Sequence, residues 1–455
     1  MKGVTRPAKP VQSFPKTTII GAGPVGTLLA IRLARAGGEV RLIERRPDPR
    51  LAAPESGRSI NLALAARGLA ALDSAGVLAR LLPEMVEMRG RQLHDLDGKG
   101  PLLLYGQHPG EVIQAISRAR LNAALIEAAA ELPSIQMDFG RRCLDVDPRA
   151  GHLHWQDEAS GATGVETAEL LIAADGAGSA MRQALERRGV VQAREEALAH
   201  DYKELLIPAG AGGKWALAPH ALHIWPRGGF MLIALPNPDG SFTATLFLAA
   251  QGEPGFSSLS TPGAAHAFFA AQFPDTLALL PDFESQFAHN PQGKLGTIYC
   301  WPWQAGHVLL IGDAAHAIVP FHGQGLNCGF EDCALLTGLL AQSADRASAL
   351  AAFERLRRPN TDAIATMAIE NYQEMRASVL APDFSARRQL ALDLERRFPG
   401  RFVPRYSLVM FHAGVPYAEA LRRGALQESV LDALLAARVG ADSPQAARLL
   451  GDCGL

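Results

Sequence analysis

Three glycine-rich runs carry the residues best suited to chemistry. The first is Gly21-x-Gly23-x-x-Gly26, with Val25 inside it. It follows a short apolar run and opens a helical pattern, the setting of a dinucleotide-binding turn. There Gly21 permits the tight turn, Gly23 lets a pyrophosphate approach the backbone, and Gly26 allows helix and strand to pack closely. The helix N-terminus adds free N–H groups and the positive end of a dipole. Glu44, followed by Arg45, ends the next strand at the spacing that a ribose 2′-OH acceptor needs. An acid there argues for an unphosphorylated ribose, which leaves FAD or NAD.

The second run, "ADGAGSAMR" (174–182), places Asp175 and Gly176 after a strand and Arg182 on the helix that follows. The third, "GDAAHAIVPFHGQGLN" (312–327), places Asp313 after another strand. An acid at that point accepts from a ribityl or ribose hydroxyl. Gly323, Gly325 and Asn327 then present N–H groups, and the small residues let a flat ring lie against the main chain. A cofactor touched by three separated segments is long and extended, which favours FAD.

The elements that must position these runs follow from periodicity. "TTIIGAGPVGTLLAIRLARAGGEVRLIERR" reads strand, turn, helix, strand, and "SRARLNAALIEAAAEL" (117–132) reads as an amphipathic helix. Residues 197–300 alternate short β-rich runs with a Pro-Asp-Gly turn and predict antiparallel strands. From about residue 329 the chain is Ala/Leu/Arg-rich and helical. The expectation is an α/β protein. A doubly wound domain (1–84, 106–194 and 296–340) receives a β-sheet substrate domain (85–105 and 195–295), and a helical domain (341–455) closes the chain.

Composition excludes other classes. Net charge is -2, which opposes a nucleic-acid partner held by a basic face. The five cysteines are scattered, with no CxxC pair, so free thiols in a reducing compartment are expected, without a metal. The first residues lack an apolar signal core, and no run is long enough to span a bilayer. A cytoplasmic monomer or homodimer is expected.

DGxxSxxR at 175–182 and GDAAH at 312–316, in this order after GxGxxG, resemble the single-component flavoprotein aromatic hydroxylases. The resemblance covers nearly the whole chain. It implies a Rossmann-like FAD-binding domain with an inserted antiparallel sheet and a C-terminal helical region. It also implies that Asp313 binds the ribityl chain and that Pro320 begins the loop beside the isoalloxazine. Gly325, Leu326 and Asn327 would meet the ring, and Ala63, Arg118 and Cys143 would be flavin contacts. His316 would be structural.

"GRSINLALAARG" (57–68), "MRGRQLHDLDG" (88–98), "NYQEMR" (371–376) and "RYSLVMF" (405–411) resemble the branch of that family acting on amino acids with an aniline ring. By position Arg91, Tyr105, Asn371 and Tyr406 would hold the substrate's carboxylate and amine, with Glu374 and Met375 close by. Phe321, Phe230 and Leu232 are candidates for a dry apolar wall. His322 stands where a second aromatic is expected, and Leu326 replaces a more usual Met. The implied reaction is hydroxylation ortho to the amine through a flavin C4a-hydroperoxide, with O2 and a transiently bound NADPH as co-substrates. An aniline nitrogen activates its own ortho carbon, so no essential protein nucleophile or base is expected. The rivals are a flavin hydroxylase of another aromatic acid or phenol, a halogenase hinted at by "WPWQAG" (301–306), and a non-catalytic flavin-binding protein.

Overall fold

The computed structural model describes residues 14–51, 61–343, 345–376 and 384–454, so the first part of the 57–68 run lies outside them. Strands Thr17–Ile20 and Leu170–Ala173 are buried along their whole length, as the middle of a parallel sheet requires. They sit at the centre of a six-stranded sheet. Its order is Gln304–Ala305, Val308–Leu310, Leu170–Ala173, Thr17–Ile20, Val40–Glu44, Ile135–Phe139. Every neighbouring pair is parallel except the first. Thr17 is level with Leu170 on one side and Val40 on the other.

This order explains why the three glycine runs meet. Val308–Leu310, Leu170–Ala173 and Thr17–Ile20 are adjacent and point the same way. Each run begins at the carboxyl end of its strand, so the three turns emerge side by side, where open α/β sheets bind ligands. The helix Pro24–Arg35 begins with Gly23 as N-cap and Pro24 in its first turn, and it buries Leu28, Leu29, Ile31 and Leu33. Proline suits that position because its missing N–H would be unpaired there anyway.

The β-rich middle forms a seven-stranded sheet. Its order is Gln292–Trp301, Gln192–Ile207, Phe242–Ala249, Met231–Pro236, Ala221–Pro226, Gly90–Leu93, Leu102–Leu104. It is antiparallel as expected, except that Gly90–Leu93 joins Ala221–Pro226 in parallel. Met85–Met88 belongs to a separate small sheet, pairing with Ile113–Ser117 beside Asn61–Leu64.

The helical part starts at Gly325, slightly earlier than composition indicated, with Gly325–Gln342 and the long Arg346–Arg376. A buried ionic knot ties both to the third glycine run. Asp332 accepts from the Gly312 N–H (3.0 Å) and from Arg357 Nε (2.6 Å), and lies 2.7 Å from His316 Nε2. His316 is therefore structural. Among the described residues no helix is long and apolar enough to cross a membrane.

Candidate active site

A cavity of about 270 Å³ runs from the glycine turns to the face of the seven-stranded sheet. Gly23, Val25, Ala63, Arg118, Asp313, Pro320, Gly325 and Leu326 line one end. Arg91, Tyr105, Phe321, His322, Met375 and Tyr406 line the other.

The first end fits an extended anionic cofactor. A methyl on Gly26 would sit 2.0 Å from the Gly21 carbonyl oxygen, and one on Gly21, at φ +103°, would sit 2.4 Å from the Ala174 oxygen. Those two glycines let helix, turn and strand touch. Gly23 and Gly176 differ: a methyl on either would meet no described atom within 4 Å. The space in front of them is open to a ligand.

Glu44 is buried at the end of its strand. It accepts from the Ala22 and Arg46 backbone N–H groups, each at 2.9 Å. Burial pushes its carboxyl up, but hydrogen bonds and charge from Arg46 outweigh this and hold it below the usual carboxylate range. It stays ionised, as a ribose acceptor must, and the Arg46 side chain also donates to both its oxygens, at 2.9 Å and 3.5 Å. Asp175 caps the next helix through the Ala180 N–H (2.9 Å), while its buried Oδ1 has no hydrogen-bond partner among the described residues. Burial pushes its carboxyl up. An orphaned acceptor beside an open glycine turn is what a cofactor hydroxyl would satisfy. These residues fit FAD.

Several expected contacts do not line the cavity. Gly21, Gly26, Glu44, Asp175, Asn371 and Glu374 are absent from its lining, and Arg45 is exposed. The Asn327 side chain is spent on the backbone. Its Oδ1 accepts from the Ala65 N–H (2.9 Å), and its Nδ2 donates to Ala63 O (2.8 Å) and Gly323 O (2.7 Å). It positions Ala63 and Gly323 and leaves only its own backbone for a ring. Cys143 is packed in the main core, its thiol pushed up to about 12 by burial, and is absent from the lining.

At the other end, Arg91 is 9% exposed on strand Gly90–Leu93. Its guanidinium lies 4.6 Å from the Tyr406 ring centroid, and it donates to Glu374 (3.3 Å) and to Asn371 Oδ1 (3.4 Å). The Asn371 amide is set by its donation to Phe321 O at 2.6 Å. Tyr105 stacks on Tyr406 at 5.7 Å, and His322 also stacks on it, at 5.2 Å. Burial disfavours the Arg91 charge, but Tyr406 and Glu374 more than restore it. Burial pushes both tyrosines up, so they remain neutral O–H donors. The His322 imidazole is pushed down to about 3, by burial first and by Arg91 among other charges, and its buried Nδ1 has no partner among the described residues. A fixed cation flanked by neutral donors suits a carboxylate.

The apolar wall corrects the sequence reading. Leu232 is fully buried on the opposite face of the sheet, and Phe230 packs there against Phe268 and Phe273. Side chains alternate along a strand, so the wall on Met231–Pro236 is Ile233 and Leu235 instead. Leu222, Thr245, Phe247 and Leu295 complete it and were also missed. The strand alternation was legible, but which set faced inward was not.

A cradle for a long cofactor that opens onto an apolar cavity with a carboxylate pole is the layout of a flavoprotein acting on a small aromatic acid. Residues 15–368 match the family described as FAD binding domain. The chain is 49% identical to kynurenine 3-monooxygenase of Myxococcus xanthus (strain DK1622) over 418 residues, covering 92% of this chain and 90% of that one. It is 49% identical over 427 residues to kynurenine 3-monooxygenase of Stenotrophomonas maltophilia (strain K279a), covering 94% and 93%. Among solved structures, 2-methyl-3-hydroxypyridine-5-carboxylic acid oxygenase superposes with a TM-score of 0.64 at 21% identity, covering 90% of this chain and 98% of that one. The p-nitrophenol 4-monooxygenase of Pseudomonas putida DLL-E4 gives 0.63 at 17% identity, covering 84% and 94%. These last two share the fold. The chain belongs to the FAD-binding-domain family, in the branch that the kynurenine 3-monooxygenases form.

Proposed function

We propose that the protein is an FAD-dependent monooxygenase that consumes NADPH and O2 and converts L-kynurenine to 3-hydroxy-L-kynurenine. The observation that carries this reading is the pole of Arg91, Tyr105 and Tyr406 at the end of an apolar cavity continuous with the glycine turns, with Asn371 bonded to Arg91 behind it. Bound FAD, reduced by NADPH, supplies the activated oxygen atom.

The chain's own residues do the rest. Arg91 takes the amino-acid carboxylate in a two-pronged grip, and the Tyr105 and Tyr406 hydroxyls add neutral donors. Asn371 Oδ1 and Glu374 face the same guanidinium and are acceptors for the substrate's ammonium. Ile233, Leu235, Phe247 and Phe321 keep water from the ring. Ala63, Arg118, Pro320, Gly325 and Leu326 hold the flavin side, with Asp313 on the ribityl chain.

Ionising a phenol would need a group that takes a proton near neutrality. Burial moves Tyr105 and Tyr406 the other way, which opposes the phenol alternative. An aniline makes no such demand. All five cysteines are free, which suits a cytoplasmic setting.

The test is NADPH oxidation by the FAD-loaded protein with and without L-kynurenine, with the product identified by mass. Strong stimulation and a gain of one oxygen are expected. Stimulation that yields only peroxide would move the substrate to another aromatic acid.

The corrected wall yields a paired prediction. Leu232→Ala empties a buried core position, costs about 2–5 kcal/mol and lowers Tm. Its kynurenine KM is unchanged in the folded protein. Ile233→Ala should raise KM with a smaller loss in Tm. The opposite pattern would mean that the sheet presents its other face to the substrate.

A further inference from the structure

Three buried polar atoms in the cavity lining have no hydrogen-bond partner among the described residues: Arg91 Nε, His322 Nδ1 and Asn61 Oδ1. The first two belong to the substrate pole, where both side chains lie against Tyr406. The third has no part in that pole. Asn61 is 6% exposed and opens strand Asn61–Leu64. An unpaired buried amide oxygen is costly, so a donor that enters the cavity is its natural partner.

Turning the amide over does not relieve it. Asn61 Nδ2 donates to Pro236 O (3.2 Å) and to Asn237 Oδ1 (2.7 Å). A backbone carbonyl only accepts, so the exchanged amide would set oxygen against oxygen. Asn237 is held in turn, its Nδ2 donating to Ser241 Oγ (3.0 Å) and Thr243 Oγ1 (3.3 Å). Asn61 Oδ1 is a fixed acceptor.

Its position suits the ring end of the substrate. Pro236 ends Met231–Pro236, the strand whose Ile233 and Leu235 form the apolar wall. Arg91 is level with Leu222, and His223 with Ala234, so Leu222 is level with Leu235. Two strand spacings, roughly 10 Å, separate Arg91 from Leu235, and the next residue is the Pro236 that holds Asn61. Ala63, on the flavin side of the lining, lies two residues along the strand from Asn61 and on the same face. The acceptor stands where the flavin side and the substrate wall meet.

We propose that Asn61 Oδ1 accepts a hydrogen bond from the ring amine of the substrate and so orients the carbon beside that amine for oxygenation. The proposal rests on the kynurenine reading. In an aryl ketone with an ortho amine, one N–H bonds internally to the ketone oxygen. The other is free and needs an acceptor in a dry cavity. As the neighbouring ring carbon gains oxygen, the nitrogen lone pair moves toward the ring and this N–H grows more acidic. The bond to Asn61 therefore strengthens in the transition state.

The experiment titrates the FAD-loaded protein, without NADPH, with L-kynurenine and with desamino-kynurenine, the same acid lacking its ring amine, and follows the flavin spectrum. The wild type should bind kynurenine roughly tenfold tighter than the analogue. Asn61→Leu, and the smaller Asn61→Ala, should bind the two ligands alike and FAD as the wild type does. Both should turn a smaller share of their NADPH into oxygenated product. A wild-type ratio near one overturns the proposal without any variant. A ratio that survives in both variants also overturns it: weakened FAD binding would then give the acceptor to the flavin, and equal weakening of both ligands would make Asn61 structural only. A wild type that binds neither ligand overturns the kynurenine reading and this proposal with it.

Discussion

Arg91→Met leaves a folded, yellow protein that responds to L-kynurenine only at high concentration. The guanidinium is buried beneath Tyr406 and is the fixed cation of the substrate pole. Removing one member of a buried, hydrogen-bonded charge pair costs about 2–5 kcal/mol. That corresponds to a loss in kcat/KM of about thirtyfold to several thousandfold. Most of it should fall on KM, because the carboxylate is held in ground and transition states alike. The fold should survive, since Met keeps the apolar stem and Glu374 is partly exposed and can turn to water. Arg91→Lys keeps the charge and loses the fork, so it should fall between the two. Steady-state NADPH oxidation with product analysis decides this. A wild-type KM in Arg91→Met would place the carboxylate elsewhere.

The second large effect separates two glycines of one motif. In Gly26→Ala the new methyl meets the Gly21 carbonyl oxygen at 2.0 Å, backbone against backbone. Helix and strand must part, which costs at least about 1–3 kcal/mol, and FAD binding should be lost along with a lowered Tm of the apoprotein. Gly23→Ala meets nothing described within 4 Å, and Gly23 has φ −72°, which alanine adopts freely. Its apoprotein should melt at or slightly above the wild-type temperature. Its FAD affinity should still fall by at least about tenfold, because the methyl occupies the space through which the pyrophosphate reaches the backbone. Melting curves of the apoproteins and flavin-fluorescence titrations read the two effects separately. Normal FAD binding by Gly23→Ala would mean that the phosphates lie away from this turn.

The residue sequence by itself determined the parts whose cause is local. Glycine spacing between an apolar strand and an amphipathic helix specifies a phosphate-binding turn, because only glycine permits those close approaches. Glu44 at the end of the next strand and the β-rich middle were legible for the same reason. Arg91, Asn371 and Tyr406 were not marked by any local pattern; their motifs' resemblance to a family singled them out. What brings them together is the tertiary structure. Gly90–Leu93 joins Ala221–Pro226 in parallel, and Asn371 and Tyr406 arrive on two helices of the C-terminal part.

The same limit explains the misplacement of Leu232. A period of two divides a strand into two faces, and both faces of this sheet are apolar, one under the helices and one over the cavity. Nothing in Met231–Pro236 says which face meets the ligand. Local sterics are written in neighbouring residues, whereas burial, facing and charge partnership depend on what the rest of the chain brings to each surface.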